Sequence, residues 1–577
     1  MNQAHSPTPR SALRTTLWSF RGAFLSVGGY SLVANLLMLS PTLYMLQVYD
    51  RVLQSQSELT LLAMSMLTLA MFAVMAGAEW MRSRLLVRAG VALDARLSTQ
   101  VFNASFDAYL NQTGNSPSRA FSDLIQVRQF LTGNGIFAFF DAPWTPIYMA
   151  VLFFLHPMLG WLGIVFALVQ LALAKFGHQG TLAPSEAATA ANTDAGIFLQ
   201  SKLRNAEVIE SMGMLRNLQR RWLQRHDFAM QRSGQAQHVS HRITAISKFV
   251  RYSQQSLVLG AGALLVIQGE LSPGGMIAAN VLMTRALAPI DLMVSSWRQF
   301  AGMRAAFERL EKLLADYPER DHRLQRVAPS GAIHVQNAVA TAPGRKEAIL
   351  KDVSVSALPG SVTVILGPSG SGKSTLARVM VGIWPDVSGN VLLDELPIAS
   401  WNREELGPHI GYLPQDVELF EGTIAENIAR FGSSDSAPII EAAKAAGLHE
   451  MILRFPKGYD TSTGEAGNLL SGGQRQRLGL ARAIYGNPKL VVLDEPNANL
   501  DDAGEAALQQ TVVRLKTQGK TVVLITHRPG AVAVADHLLI LNNGQVQARG
   551  PRDAVIAALQ AAQKNAAAAA PSAALPA

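Results

Sequence analysis

Long apolar stretches separated by polar, arginine-rich ones fill the first half of the chain, whereas short β-branched runs alternating with helical ones fill the second. Residues 22–49 carry no charged side chain and are long enough to cross a hydrocarbon core of about 30 Å at about 1.5 Å per residue. Residues 59–78 form a second such run, ending against Glu79, Arg82, Arg84 and Arg88. The uncharged stretch 142–174 is too long for one span and too short for two. A third helix is therefore predicted to start near Ile136, to carry Asp141 into the membrane about 8 Å from its cytosolic end, and to turn at His156-Pro157 into a fourth. A fifth is predicted over 252–269 and a sixth over about 274–297, interrupted by Arg285 and Asp291. The polar stretches 84–133, with a GNSPS break at 114–118, and 175–251 read as helices that run into the cytosol and return. Both stretches and both termini then lie on one side, as the positive-inside tendency requires.

The predicted organisation is a basic tail (1–21), a six-span helical membrane domain (22–316), a charged linker (317–330), an α/β domain (331–560) and a disordered Ala/Pro tail (561–577). Composition agrees: 49% of residues are hydrophobic and only 16% charged, against about 25% charged in soluble domains. The absence of cysteine excludes disulfides, thiolate metal sites and a cysteine nucleophile. Arginines flanking the cytosolic membrane face account for the net charge of +8, so nucleic acid is not an expected partner.

The candidate chemistry begins at 362–375, VTVILGPSGSGKST, a strand that breaks into glycine and serine and resumes as a helix. Gly367, Gly370 and Gly372 let successive N–H groups turn inward, and the helix adds its positive end, which together make a phosphate cradle. The pattern is G-x-x-x-x-G-K-[ST], with Pro368, Ser369, Ser371 and Thr375 completing the loop. Lys373 is expected to reach the β- and γ-phosphates of a nucleoside triphosphate and Ser374 to offer its hydroxyl to Mg²⁺. A second strand, LVVLD, ends in Asp494 and Glu495. Asp494 is expected in the Mg²⁺ shell and Glu495 to polarise the attacking water. A third strand delivers His527 to the same phosphates. Between them, Ser471, Gly472, Gly473 and Gln474 form a small-residue loop at a helix start, a second anion site.

LSGGQ after a phosphate loop, with Gln415 in GYLPQD, Gly464-Glu465, Asp501 in NANLD and His527, resembles the nucleotide-binding domain of the ABC transporters over roughly 331–555. The resemblance implies ATP sandwiched between two copies of the chain, with Ser471 to Gln474 of one copy on the γ-phosphate held by Lys373 of the other. It also implies that Gln415 couples metal and attacking water to the membrane helices, and that Asp501 contacts the opposite protomer. The aromatic that usually stacks on adenine is replaced near Ala342, so the base is left to other contacts.

NLLMLSPTLYMLQVYDRVLQSQSELTLL (35–62) and FFDAPWTPIY (139–148) are similar to segments of type I secretion ABC transporters, which export proteases, lipases and repeat-in-toxin proteins. That implies a secreted protein with an uncleaved C-terminal signal, a periplasmic membrane fusion (adaptor) protein, a TolC-like outer-membrane channel, and a place in the bacterial inner membrane with the ATPase domain in the cytoplasm. With a tail of about twenty residues and no cysteine before the first span, a leader-cleaving cysteine-protease domain and a processed leader peptide are not expected. A lipid or small-molecule exporter and a nucleotide-gated channel or scaffold are the alternatives. Arg285, about 16 to 18 Å into the sixth helix, is expected to line the path, with Asp141 a candidate partner. The turns near 114–118 and 205–218 are expected to be coupling contacts.

Overall fold

The computed structural model describes residues 12–111, 117–203, 205–318, 327–342, 347–433, 435–464, 467–500 and 502–569. Glu465, Asp501 and the turn at 114–116 lie outside them. The chain divides into two compact units, a helical one over 1–105 and 116–318 and an α/β one over 319–577 that also takes in 106–115.

In the helical unit the apolar runs of four spans are one end of far longer helices. Glu58–Leu110 and Leu215–Ile267 are 53 residues each, Pro157–Leu203 is 47 and Pro273–Asp316 is 44. The polar stretches continue the spans as helix, because leucine, arginine, glutamine and alanine all have high helix propensity. The break between the third and fourth spans falls where predicted. His156 is extended and Pro157 starts the next helix, where its missing N–H is harmless. The last long helix starts with Ser272 capping the N–H of Gly275, and Asp50 accepts from Gly274 N at 2.8 Å and from Ser272 Oγ at 2.5 Å.

Among the described residues five helices are long and apolar enough to cross a membrane: Arg21–Ser55, Glu58–Leu110, Gly135–Leu155, Pro157–Leu203 and Pro273–Trp297. The predicted fifth span, 252–269, is not one of them, because its cytosolic end reads Ser-Gln-Gln-Ser. That polarity is internal: Gln254 is 3% exposed and accepts from Gln170 on the fourth span at 3.3 Å. Val258 and Leu265, farther along the same helix, are buried in one core with Tyr148, Leu152, Leu159, Leu282 and Leu287.

Two expectations change. Asp141 does not pair with Arg285, which lies exposed on its helix. Its carboxylate takes Arg82 Nη1 at 3.2 Å and Asn35 Nδ2 at 2.7 Å. The C-terminal helix Arg552–Ala569 runs beyond residue 560, where disorder was expected, since an alanine run is the best helix former.

Among the described residues the α/β unit holds ten strands: β1 (Ile333–Thr341), β2 (Ala348–Ala357), β3 (Val362–Leu366), β4 (Val387–Leu393), β5 (Leu396–Pro397), β6 (Ile410–Leu413), β7 (Leu490–Asp494), β8 (Thr521–Ile525), β9 (His537–Asn542) and β10 (Gln545–Pro551). A four-stranded antiparallel sheet has the order β2-β1-β4-β5, and a six-stranded sheet the order β10-β9-β3-β8-β7-β6. In the larger sheet β9, β3, β8, β7 and β6 are parallel. β7 and β8 are buried throughout, as apolar strands covered on both faces must be. Parallel strands present all their carboxyl ends on one edge, and on that edge the site is built.

Candidate nucleotide site

Four neighbouring strands, β3, β8, β7 and β6, deliver one after another the phosphate loop, His527, Asp494-Glu495 and Gln415. The loop follows β3 and runs into the helix Lys373–Met380, whose N-cap is Gly372 at φ +97. A Cβ on Gly372 would lie 2.8 Å from Leu350 Cδ2, so this position needs glycine for both conformation and space. Ser369 and Gly370 are exposed at the loop's crest, while Ser371 is 2% exposed with its hydroxyl unpartnered among the described residues.

Lys373 is 5% exposed, and its ammonium donates to the carbonyls of Gly367 at 3.0 Å and Pro368 at 2.8 Å. Burial pulls its pKa down, while Glu495 and Asp494 hold it up. Two of its three donors fold the loop, and the third remains for an anion. Asp494 is 1% exposed at the end of β7. Burial pushes its carboxyl up, against a hydrogen bond from Ser374 and the charges of Arg378 and Lys373. Its Oδ1 is buried without a partner among the described residues. A buried, unpaired carboxylate oxygen beside a serine hydroxyl fits the shell of a hard cation whose other ligands are phosphate oxygens and water. Among the described residues no three His, Asp or Glu side chains form a metal cage of their own.

Glu495 is held at both carboxylate oxygens, Oε1 lying 3.0 Å from His527 Nε2 and Oε2 accepting from Gln415 Nε2 at 3.0 Å. Its backbone has φ +48, which non-glycine residues adopt only when the surroundings fix it. Gln415 and His527 are themselves exposed, so the cluster opens to solvent.

Ser471, Gly472, Gly473 and Gln474 are placed elsewhere. They open the helix Gly472–Ile484 with a capping box in which Ser471 Oγ accepts from Gln474 N at 3.3 Å and Gln474 Oε1 from Ser471 N at 2.8 Å. Among the described residues no hydrogen bond joins this loop to 367–375. Ala342 follows β1 and offers no ring. Trp384 is committed nearby, its indole donating to Thr341 O at 3.0 Å.

Two residues at the site carry no sequence signal. Asn497, 7% exposed, accepts from Thr526 Oγ1 at 3.3 Å and ties the ends of β7 and β8 together. Gln476, 2% exposed, donates to the Glu495 carbonyl at 3.3 Å. Neither lies at a position whose spacing marks it.

Residues 350–498 match the family model described as ABC transporter, and residues 27–289 match that described as ABC transporter transmembrane region. The chain is 42% identical over 557 residues to the type I secretion system ATP-binding protein PrsD of Rhizobium meliloti, covering 96% of this chain and 95% of that one. It is 29% identical over 547 residues to the cyclolysin secretion/processing ATP-binding protein CyaB of Bordetella pertussis, covering 92% and 75%. The solved structure of a bacterial Atm1-family ABC exporter with ATP bound has a TM-score of 0.81 over 98% of this chain and 100% of that one, at 22% identity. That likeness speaks for the fold.

Proposed function

The chain belongs to the ABC transporters, within the type I secretion group, and from that premise we propose that it exports a polypeptide carrying a C-terminal signal across the bacterial inner membrane. It hydrolyses ATP and couples hydrolysis to transport. The observation that carries the site assignment is the convergence of 367–375, Asp494, Glu495, Gln415 and His527 on one sheet edge. Gly367 to Thr375 wrap the phosphates, and Lys373 neutralises their charge. Ser374, Asp494 and Gln415 hold Mg²⁺, which screens the phosphate charge when bound. Glu495 takes the proton of the attacking water, with His527 and Gln415 fixing its two oxygens.

The capping-box loop at Ser471 acts in trans. Two copies face each other so that Ser471, Gly472, Gly473 and Gln474 of one complete the phosphate site of the other, Asp501 lying at that interface. Six helices per copy then form the path, Arg285 facing it, and a periplasmic membrane fusion protein and a TolC-like channel continue it outward.

Lys373→Ala removes a charge-assisted contact of about 1.5 to 3 kcal/mol and should weaken ATP binding by roughly 10- to 100-fold, measured by calorimetric titration. An affinity within twofold of the parent would take Lys373 out of the site. For cargo, the purified protein in lipid should be stimulated by an unfolded peptide from the C-terminus of a secreted substrate. Stimulation by lipid or small apolar molecules and not by any such peptide would favour the alternative exporter.

A further inference from the structure

We infer that Gln476 is a positioning residue for ATP hydrolysis, fixing the backbone of Glu495 from the helix that opens at the second anion loop. Glu495 sits in the left-handed region at φ +48, a conformation a non-glycine residue holds only under restraint. Its N–H donates to Ile525 O at 2.9 Å, and its carbonyl accepts from Ala498 N at 3.2 Å and from Gln476 Nε2 at 3.3 Å. Among the described residues Gln476 is the one side chain that holds this peptide, the other restraints on it being backbone. It is 2% exposed on a helix that also buries Leu478, Gly479, Leu480 and Ala481, a place where an amide persists only if bonded.

The same helix touches the segment after Glu495 a second time. A Cβ on Gly473 would come within 2.8 Å of Asn499 O, so the first turn of the helix lies directly on that carbonyl. Residues 473 and 476 are three apart and share one helix face. Gly473 on Asn499 and Gln476 on Glu495 thus form a two-point strut between the helix start and the catalytic carboxylate's backbone. When Ser471 and Gln474 engage an anion, that contact reaches Glu495 through the strut. The inference rests on the proposed roles of Glu495 and of the Ser471 loop.

The test is steady-state ATP turnover of the purified full-length protein carrying Gln476→Met, which keeps length and loses the donor, or Gln476→Glu, whose carboxyl donates only while protonated. Glu495→Gln serves as reference. Gln476→Met should lower kcat about tenfold with KM and ATP affinity within about twofold, since losing one hydrogen bond is worth about one order of magnitude. Gln476→Glu should regain activity relative to the parent as pH falls from about 8 to about 5.5, whereas the Met variant's ratio stays flat. A Met variant keeping more than half of kcat, or a Glu variant whose ratio is equally flat, overturns the assignment. If the Met variant does not bind ATP, the Glu variant's pH ratio decides alone. Near-normal turnover by Glu495→Gln would instead reject Glu495 as the base, whatever the Gln476 variants do.

Discussion

Glu495→Gln is expected to bind ATP within about twofold of the parent and to lose turnover by about 10²- to 10⁴-fold, the usual contribution of a positioned general base. Both anchors of the carboxylate, Gln415 Nε2 and His527 Nε2, each at 3.0 Å, tolerate an amide: its oxygen still accepts from Gln415, and its nitrogen can face the imidazole. The backbone at φ +48 and its bond to Ile525 O do not depend on the side chain's charge. The variant therefore keeps the shape of the site and loses only the capacity to take a proton. An ordinary strand end at this position would accept the change silently, so phosphate release measured beside nucleotide binding separates the two cases. Binding that persists while phosphate release stops makes Glu495 the base. Turnover within tenfold of the parent denies it that role.

The ATPase half was legible because its chemistry is written in contiguous words placed directly after strands. A phosphate loop cannot form without its glycines, and Asp494, Glu495 and His527 each stand at or next to the end of an apolar run that reads as buried strand. Gln476 was illegible for the opposite reason. Its role is a single donor reaching a carbonyl nineteen residues away, which only packing specifies. In the membrane half hydropathy found where spans begin but mistook what charge means there. Arg82 reads as the cytosolic flank of the second span because it ends an uncharged run, yet it is 8% exposed and paired inside the helical unit. The Ser-Gln-Gln-Ser start of the fifth predicted span misleads in the same way, since Gln254 finds Gln170 and is buried. Composition records polarity but not whether a partner exists to satisfy it.

Asp141→Leu is expected to destabilise the helical unit by about 3 to 5 kcal/mol, because it strands a buried guanidinium. Arg82 donates to Asp141 Oδ1 at 3.2 Å and to Ser31 Oγ at 3.3 Å, and its guanidinium lies 4.1 Å from the centre of the Phe137 ring. Asn35 Nδ2 reaches the same carboxylate at 2.7 Å, so the helices of Arg82 and Asn35 both meet on it, and Tyr148 joins the network one step away by donating to Asn35 O at 2.7 Å. Without Asp141 the cation keeps only a hydroxyl and a ring face, and arginine cannot shed its proton. Arg82→Met should cost less, since the carboxylate keeps the hydrogen bond from Asn35 Nδ2. The double variant Arg82→Met/Asp141→Leu should be more stable than Asp141→Leu alone, because no uncompensated charge remains. Unfolding of the three variants by SDS titration in mixed micelles gives the cycle. If the two single costs simply add in the double variant, within about 0.5 kcal/mol, the pair is not coupled and the network does not hold these helices together.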